Sequence, residues 1–175
     1  MKAIERYSGL RIALHWLTVV LVVAVYAAIN LSDFFPKGSS ARDGFRAWHN
    51  TLGLCVLVLV FTRVLARWAQ PGPQLVPGPA WQLRLAKAVH WALYIFLIGM
   101  PLAGWLVLST AGKPVPFFGF ELPPLMGPDK ILSKQIKDVH ETVANIGYFV
   151  IGLHAAAALF HHYVLGDNTL RRMWR

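Results

Sequence analysis

The stretch 138–162, DVHETVANIGYFVIGLHAAAALFHH, constrains this chain more than any other. It holds four of the seven histidines and no charge after Glu141, so it reads as a membrane-spanning helix. His140 and His154 are 14 residues apart, which on a helix is four turns less about 40° and about 21 Å of rise. The two imidazoles therefore share a face at two depths, with Gly147 midway on the same line and His161 one heptad beyond. A single intramembrane histidine often only hydrogen-bonds across a helix interface. Two in register are a different matter, because ionisable groups at membrane depth are rare and functional by default. With a hydrogen-only side chain between them, they suit two flat, bulky groups stacked along the helix. Two haems are the working expectation, against packing and proton-relay roles.

Composition agrees with a bilayer protein. Of 175 residues, 56% are hydrophobic and 14% charged, and seven are Trp; a soluble average is about 25% charged. The net charge of +9 sits at the ends of apolar runs. It forms no basic stripe with aromatics between, so nucleic acid is not the expected partner. Cys55 stands alone in an apolar run, which excludes an intrachain disulfide and a thiolate metal site.

Four spans are expected, at about 11–30, 47–67, 87–109 and 139–164, making one all-α, integral membrane four-helix bundle. The first follows a short basic tail with Lys2, Arg6 and Arg11. A cleaved signal peptide competes there, but the run is long and His15 near its start fits such a segment poorly. Pro36, Gly38 and Gly44 mark the connector 30–46 as irregular, and four prolines exclude helix from the linker 70–79. Pro101 inside the third span is tolerable as a kink. The longest connection, 110–137, is too rich in Pro and Gly for regular structure in its first half; from Pro128 onward it reads as a helix start running into the fourth span.

With the amino terminus inside, the cytoplasmic segments hold ten Lys and Arg with two acids, against seven and six on the other side. That asymmetry places both termini in the cytoplasm. His49 and His140 then lie at the outer side, while His15, His90 and His154 lie toward the inner one. Six-coordinate haem needs two axial ligands on opposite sides of the porphyrin, supplied by facing helices. His49 with His140 makes an outer site. For the inner site, spacing leaves both His15 and His90 as the counterpart of His154.

The carboxyl-terminal third, HETVANIGYFVIGLHAAAALFHH followed by DNTLRRMW, closely resembles the bacterial diheme cytochrome b-561 proteins, as do Leu14-His15-Trp16 and Phe34-Phe35-Pro36. The likeness extends over nearly the whole chain. The chain is also similar to the b-type cytochrome subunits of membrane-bound hydrogenases and formate dehydrogenases. The resemblance implies two haem b groups, one on His15 and His154, the other on His49 and His140, with His90 outside the ligand set. It further implies a superoxide oxidase of the bacterial inner membrane. Superoxide would give an electron to the outer haem, and the electron would pass inward to reduce ubiquinone from the quinone pool, with no protein partner required.

Other residues can be matched to that demand. Lys130, Lys134 and Lys137 recur at helical spacing before His140, with Lys113 and Arg46 on the same side. They could steer a small anion, or simply face water and lipid headgroups. Asp129, Asp138 and Glu141 blunt their field. His90, His161 and His162 are candidates for a quinone and proton site on the inner side; His161 and His162 could instead simply sit at the lipid interface, while His90 lies deeper beside Trp91, where it could line the pocket. Trp16, Trp48, Trp68, Trp81, Trp91 and Trp105 read as an interfacial belt. The rival functions are a membrane-anchor relay for a partner dehydrogenase or hydrogenase subunit, and a colourless structural bundle. The short outer connections favour the enzyme.

Overall fold

The structure is a computed structural model that describes residues 6–70, 72–73 and 78–174. The charges at Lys2, Glu5 and Arg175 and part of the proline-rich linker lie outside the described residues. Four helices dominate it: α1 (Gly9–Ser32), α2 (Ser40–Ala69), α3 (Ala80–Thr110) and α4 (Lys130–Tyr163). All four are long and apolar enough to cross a membrane. α1 packs along α2, α2 against α3 and α3 against α4, whereas the backbones of α1 and α4 make no extended contact. α4 buries only Ser133 and Gly147 against protein. Its apolar side chains Val139, Ile146, Phe149 and Leu153 are exposed, as suits a helix solvated by lipid.

The helices start and stop where side chains can satisfy their free amides. The Ser8 hydroxyl accepts from the Arg11 amide, Ser39 from Arg42, and the Asp129 carboxylate from both Ile131 and Leu132. Each such cap contributes about 1 kcal/mol. The Asp129 cap lets α4 begin well before its apolar core and run unbroken through His140, the continuous helix expected from Pro128. α3 passes through Pro101 without ending.

Two expectations fail. The connector 30–46 is much shorter than its Pro and Gly content suggested, because Ser39 caps a helix that already includes Gly44. Arg42 anchors the remaining turn, donating to the Asp33 carboxylate at 2.7 Å and to the Phe35 carbonyl at 2.8 Å. The first half of 110–137, expected to be irregular, holds an antiparallel hairpin of β1 (Val115–Phe117) and β2 (Phe120–Leu122). Phe117 pairs with Phe120, and the two turn residues, Phe118 and Gly119, have φ of 49° and 85°. Two consecutive positive φ angles match the twist of the strands they join. The hairpin is seated on α2, where the Thr51 hydroxyl donates to the Pro116 carbonyl at 3.2 Å and Val115 is buried. The strands thus cap one end of the bundle, called here the hairpin end, two residues from His49.

Both termini meet at the opposite end. A 3₁₀ turn, η1 (Arg171–Met173), folds the tail back under α1 and α4. The Tyr7 amide donates to the Arg172 carbonyl at 3.2 Å, and the Trp16 indole donates to the Met173 carbonyl at 2.8 Å.

Candidate functional site: two histidine pairs along α4

α4 presents its two imidazoles at the two ends of the bundle, and each faces a histidine from another helix. At the hairpin end, His140 and His49 of α2 have ring centres 6.3 Å apart. At the termini end, His154 and His15 of α1 have ring centres 6.4 Å apart. All four rings are half-buried. His90 of α3 also approaches His154, at 5.4 Å, but is itself exposed.

These separations can be tested against the group they would hold. A metal-bound imidazole nitrogen sits about 2 Å from its metal, so two rings on opposite sides of one ion put their centres about 6 Å apart. Both the 6.3 Å and the 6.4 Å pairs match that separation, whereas His90 stands closer to His154, at 5.4 Å. No cluster of three or more His, Cys, Asp or Glu exists among the described residues. A pair of imidazoles is two of the six donors of a six-coordinate ion, and a porphyrin would supply the other four nitrogens.

The surroundings of the rings bear on which nitrogen each can offer. His49 Nδ1 lies 3.0 Å from the Val25 carbonyl oxygen of α1, an acceptor that requires the proton on Nδ1 and leaves the Nε2 lone pair free. His140 buries its Nδ1 without a hydrogen-bond partner among the described residues, beside Gly104 of α3. At the other level, the Arg63 guanidinium of α2 lies 3.3 Å from His15 Nδ1 and 6.0 Å from the Tyr94 ring centre. Arginine can only donate, so this contact holds in the tautomer that protonates Nε2. Were Nε2 to bind a metal, Nδ1 would carry the proton and the guanidinium would have to turn away. The residues fit the group at both levels, with His49 already oriented and His15 requiring that one adjustment.

Between the levels, Gly147 has a role beyond the open face expected of it. A Cβ there would meet Phe96 Cζ at 2.5 Å and the Tyr26 hydroxyl at 2.6 Å. Tyr26 donates to the Ala144 carbonyl at 2.7 Å and packs on Tyr148 at 4.3 Å, whose hydroxyl accepts from Asn30 at 2.8 Å. Two aromatic side chains therefore fill the notch that the missing side chain leaves. Neither Phe96 nor Tyr26 stands out in the sequence, because only the helix crossing brings them to Gly147.

The remaining sequence candidates separate by position. Lys113, Lys130, Lys134 and Lys137 are all exposed at the hairpin end. Lys137 is paired with Glu141 at 2.9 Å and Arg46 lies 4.0 Å from Asp33, while Lys113, Lys130 and Lys134 form no ion pair among the described residues. At the termini end, His161 Nδ1 is 2.6 Å from the Asp167 carboxylate, and His162 lines a cavity beneath the tail. Trp48, Trp68, Trp81 and Trp91 are exposed, as an interfacial belt requires. Trp16 and Trp105 depart from that reading, since their indoles tie down the tail at Met173 and the α3–α4 connection at Pro123.

A family model described as prokaryotic cytochrome b561 matches residues 6–175. The chain belongs to the prokaryotic cytochrome b561 family. Cytochrome b561 homolog 1 of Escherichia coli (strain K12) is 44% identical over 170 residues, covering 97% of each chain. The probable superoxide oxidase CybB of Yersinia pestis is 39% identical, covering 97% of this chain and 96% of its own length. Cytochrome b561 homolog 2 of Escherichia coli (strain K12) is 29% identical, covering 97% and 91%. Membership in the cytochrome b561 family makes this a multi-pass membrane protein of the oxidoreductase type and implies b-type haem as its cofactor.

Proposed function

We propose that this cytochrome b561 carries two haems, one between His49 and His140 and one between His15 and His154, and that it oxidises superoxide and reduces ubiquinone. The observation that carries the reading is the equal separation of the two pairs, 6.3 Å and 6.4 Å, at opposite ends of one helix. The superoxide half rests on likeness to the Yersinia pestis relative, whose name gives that activity. When bound, haem b supplies a one-electron couple at each level.

The chain's own residues have three tasks in this scheme. The four histidines hold and orient the groups, and the Val25 carbonyl fixes the tautomer of His49. Lys113, Lys130 and Lys134, exposed and without an ion pair among the described residues, raise the encounter rate of a small anion at the hairpin end. Phe96 and Tyr26 keep water out of the region between the levels, so that electrons rather than protons pass along α4. In this reading the protein sits in the bacterial inner membrane with the hairpin end periplasmic and both termini cytoplasmic, as the excess of Lys and Arg on the terminal side favours.

The test is the purified chain itself. Two haems per polypeptide with bis-histidine spectra are expected, together with haem reduction by a superoxide source and its reoxidation by added ubiquinone. Haems that superoxide leaves oxidised would instead favour an electron-relay anchor for a partner subunit. A colourless protein would leave only a structural bundle.

A further inference from the structure

The tail forms a half-open cleft of about 410 Å³ at the end of α4, lined by Arg6, His162, Tyr163, Leu170, Arg171 and Trp174. Its lining joins two guanidiniums and an imidazole, with no carboxylate among them. The nearest acid in sequence, Asp167, is engaged with His161 at 2.6 Å and with the Thr169 amide at 2.8 Å. His162 buries its Nδ1 without a partner among the described residues. Tyr163 and Trp174 are 76% and 62% exposed, so the cavity has an aromatic mouth at the level where the helix leaves the apolar layer.

This cavity is also connected to the histidine level by rings. Trp174 stands edge-on to Trp16 with centres 5.7 Å apart, and Trp16 stands edge-on to His15 at 5.5 Å. The bond from the Trp16 indole to the Met173 carbonyl holds that sequence of contacts together.

We propose that the tail cavity binds the quinone headgroup and that Trp16 and Trp174 join it to the His15 level. This deepens the quinone-reducing reading above and rests on it. A quinone offers only acceptor oxygens, and the cavity offers only donors at its charged positions. With haem bound at the His15 level as a one-electron donor, the quinone would take up two electrons in turn, together with two protons from water at the termini end. Both carbonyl oxygens become hydroxyls, while two superoxide ions lose one electron each to become dioxygen. Arg6 and Arg171 stabilise charge as it builds on the quinone oxygens, and the His162 imidazole lies in the same lining as a hydrogen-bonding group. The tryptophans keep their own electrons and act as the contact medium, since electron transfer falls steeply across a gap and less steeply across touching rings. The same guanidiniums would suit the phosphate of an anionic phospholipid. A lipid site, however, has no use for a ring contact to a histidine at haem level.

The test uses the full chain loaded with haem in nanodiscs, reduced chemically, freed of excess reductant and mixed with a short-chain ubiquinone. Trp174→Leu and Arg171→Gln are expected to slow haem reoxidation about tenfold or more, less than the roughly hundredfold that removing one positioned oxyanion donor costs, because each is only part of the site. Haem content, spectra and the rate of haem reduction by superoxide should stay unchanged. Trp174→Phe, which keeps an aromatic edge, should retain most of the rate. Independently of turnover, a photoreactive azidoquinone should label the segment 162–174, and excess ubiquinone should protect it. Labelling of α3 around His90, or reoxidation at the unaltered rate in both variants, would overturn the proposal. So would loss of co-purifying anionic lipid in the variants with quinone kinetics intact. If superoxide fails to reduce the unaltered protein but quinone still reoxidises the chemically reduced haem through this segment, the superoxide reading falls and the quinone site stands.

Discussion

His49 on α2 faces the carbonyl oxygen of Val25 on α1 at 3.0 Å, so a backbone group of one helix sets the tautomer of a ring on the next. The fixed ring keeps its other nitrogen free, and its centre stands 6.3 Å from that of His140 of α4. One bond thus ties three helices into a single site.

That arrangement makes the ligand assignment testable by count. His49→Leu or His140→Leu should remove the haem at the hairpin end and leave the other, halving the haem-to-protein ratio in a pyridine haemochromogen assay. His90→Leu should leave the ratio unchanged. A His90 variant that loses haem would transfer the axial role at the termini end from His15 to His90.

The crossing at Gly147 predicts an overpacking penalty. Gly147→Ala places a methyl group 2.5 Å from Phe96 Cζ and 2.6 Å from the Tyr26 hydroxyl, and a strained insertion of this kind costs about 1–3 kcal/mol. The apparent melting temperature in detergent should fall. Adding Phe96→Ala should recover part of the loss, because the two changes share one space and are not additive. An unchanged melting temperature in the single variant would mean that the ring moves aside freely.

Charge at the hairpin end should govern encounter with an anion. Reversing Lys113, Lys130 and Lys134 together to Glu is expected to lower the second-order rate of haem reduction by superoxide roughly tenfold at low ionic strength. The deficit should shrink as salt shortens the screening length. Lys137→Glu should matter less, since Glu141 already offsets that charge at 2.9 Å. Equal deficits at low and high salt would rule out steering.

Docking of the tail should depend on acid pH. Burial pushes the Asp167 carboxyl up, but bonds from the Thr169 amide and from His161 outweigh it and hold the group below its ordinary value. A depressed carboxylate stabilises the fold above its unfolded pKa of about 3.9. The contribution is lost as pH falls through the lower, folded value. Limited proteolysis of the tail should therefore accelerate in that acid window, and Asp167→Asn should show the faster cleavage already at neutral pH. A pH-independent cleavage rate in the unaltered chain would show that the tail is held by contacts other than Asp167, such as those of Tyr7 and Trp16.

Much of the membrane architecture was legible in the chain because it follows from local rules. Length, hydropathy and the 14-residue interval between His140 and His154 specify four spans and two levels on one helix, whatever the neighbours are. Side-chain caps such as Asp129 are equally local. The hairpin at 115–122 was hidden because its signal is two positive φ angles at Phe118 and Gly119 amid prolines, and its stability comes from Thr51 and the surface of α2 rather than from its own residues. The same holds for Phe96 and Tyr26 against Gly147, for the Arg63 approach to His15, and for the ring contacts from His15 through Trp16 to Trp174. The sequence by itself determined which side chains lie at which depth, since that depends only on the rise and turn of a helix. Which of them touch was decided by the tertiary structure alone, because contact depends on how independent helices cross and where the tail folds back, and no periodicity within one helix encodes that.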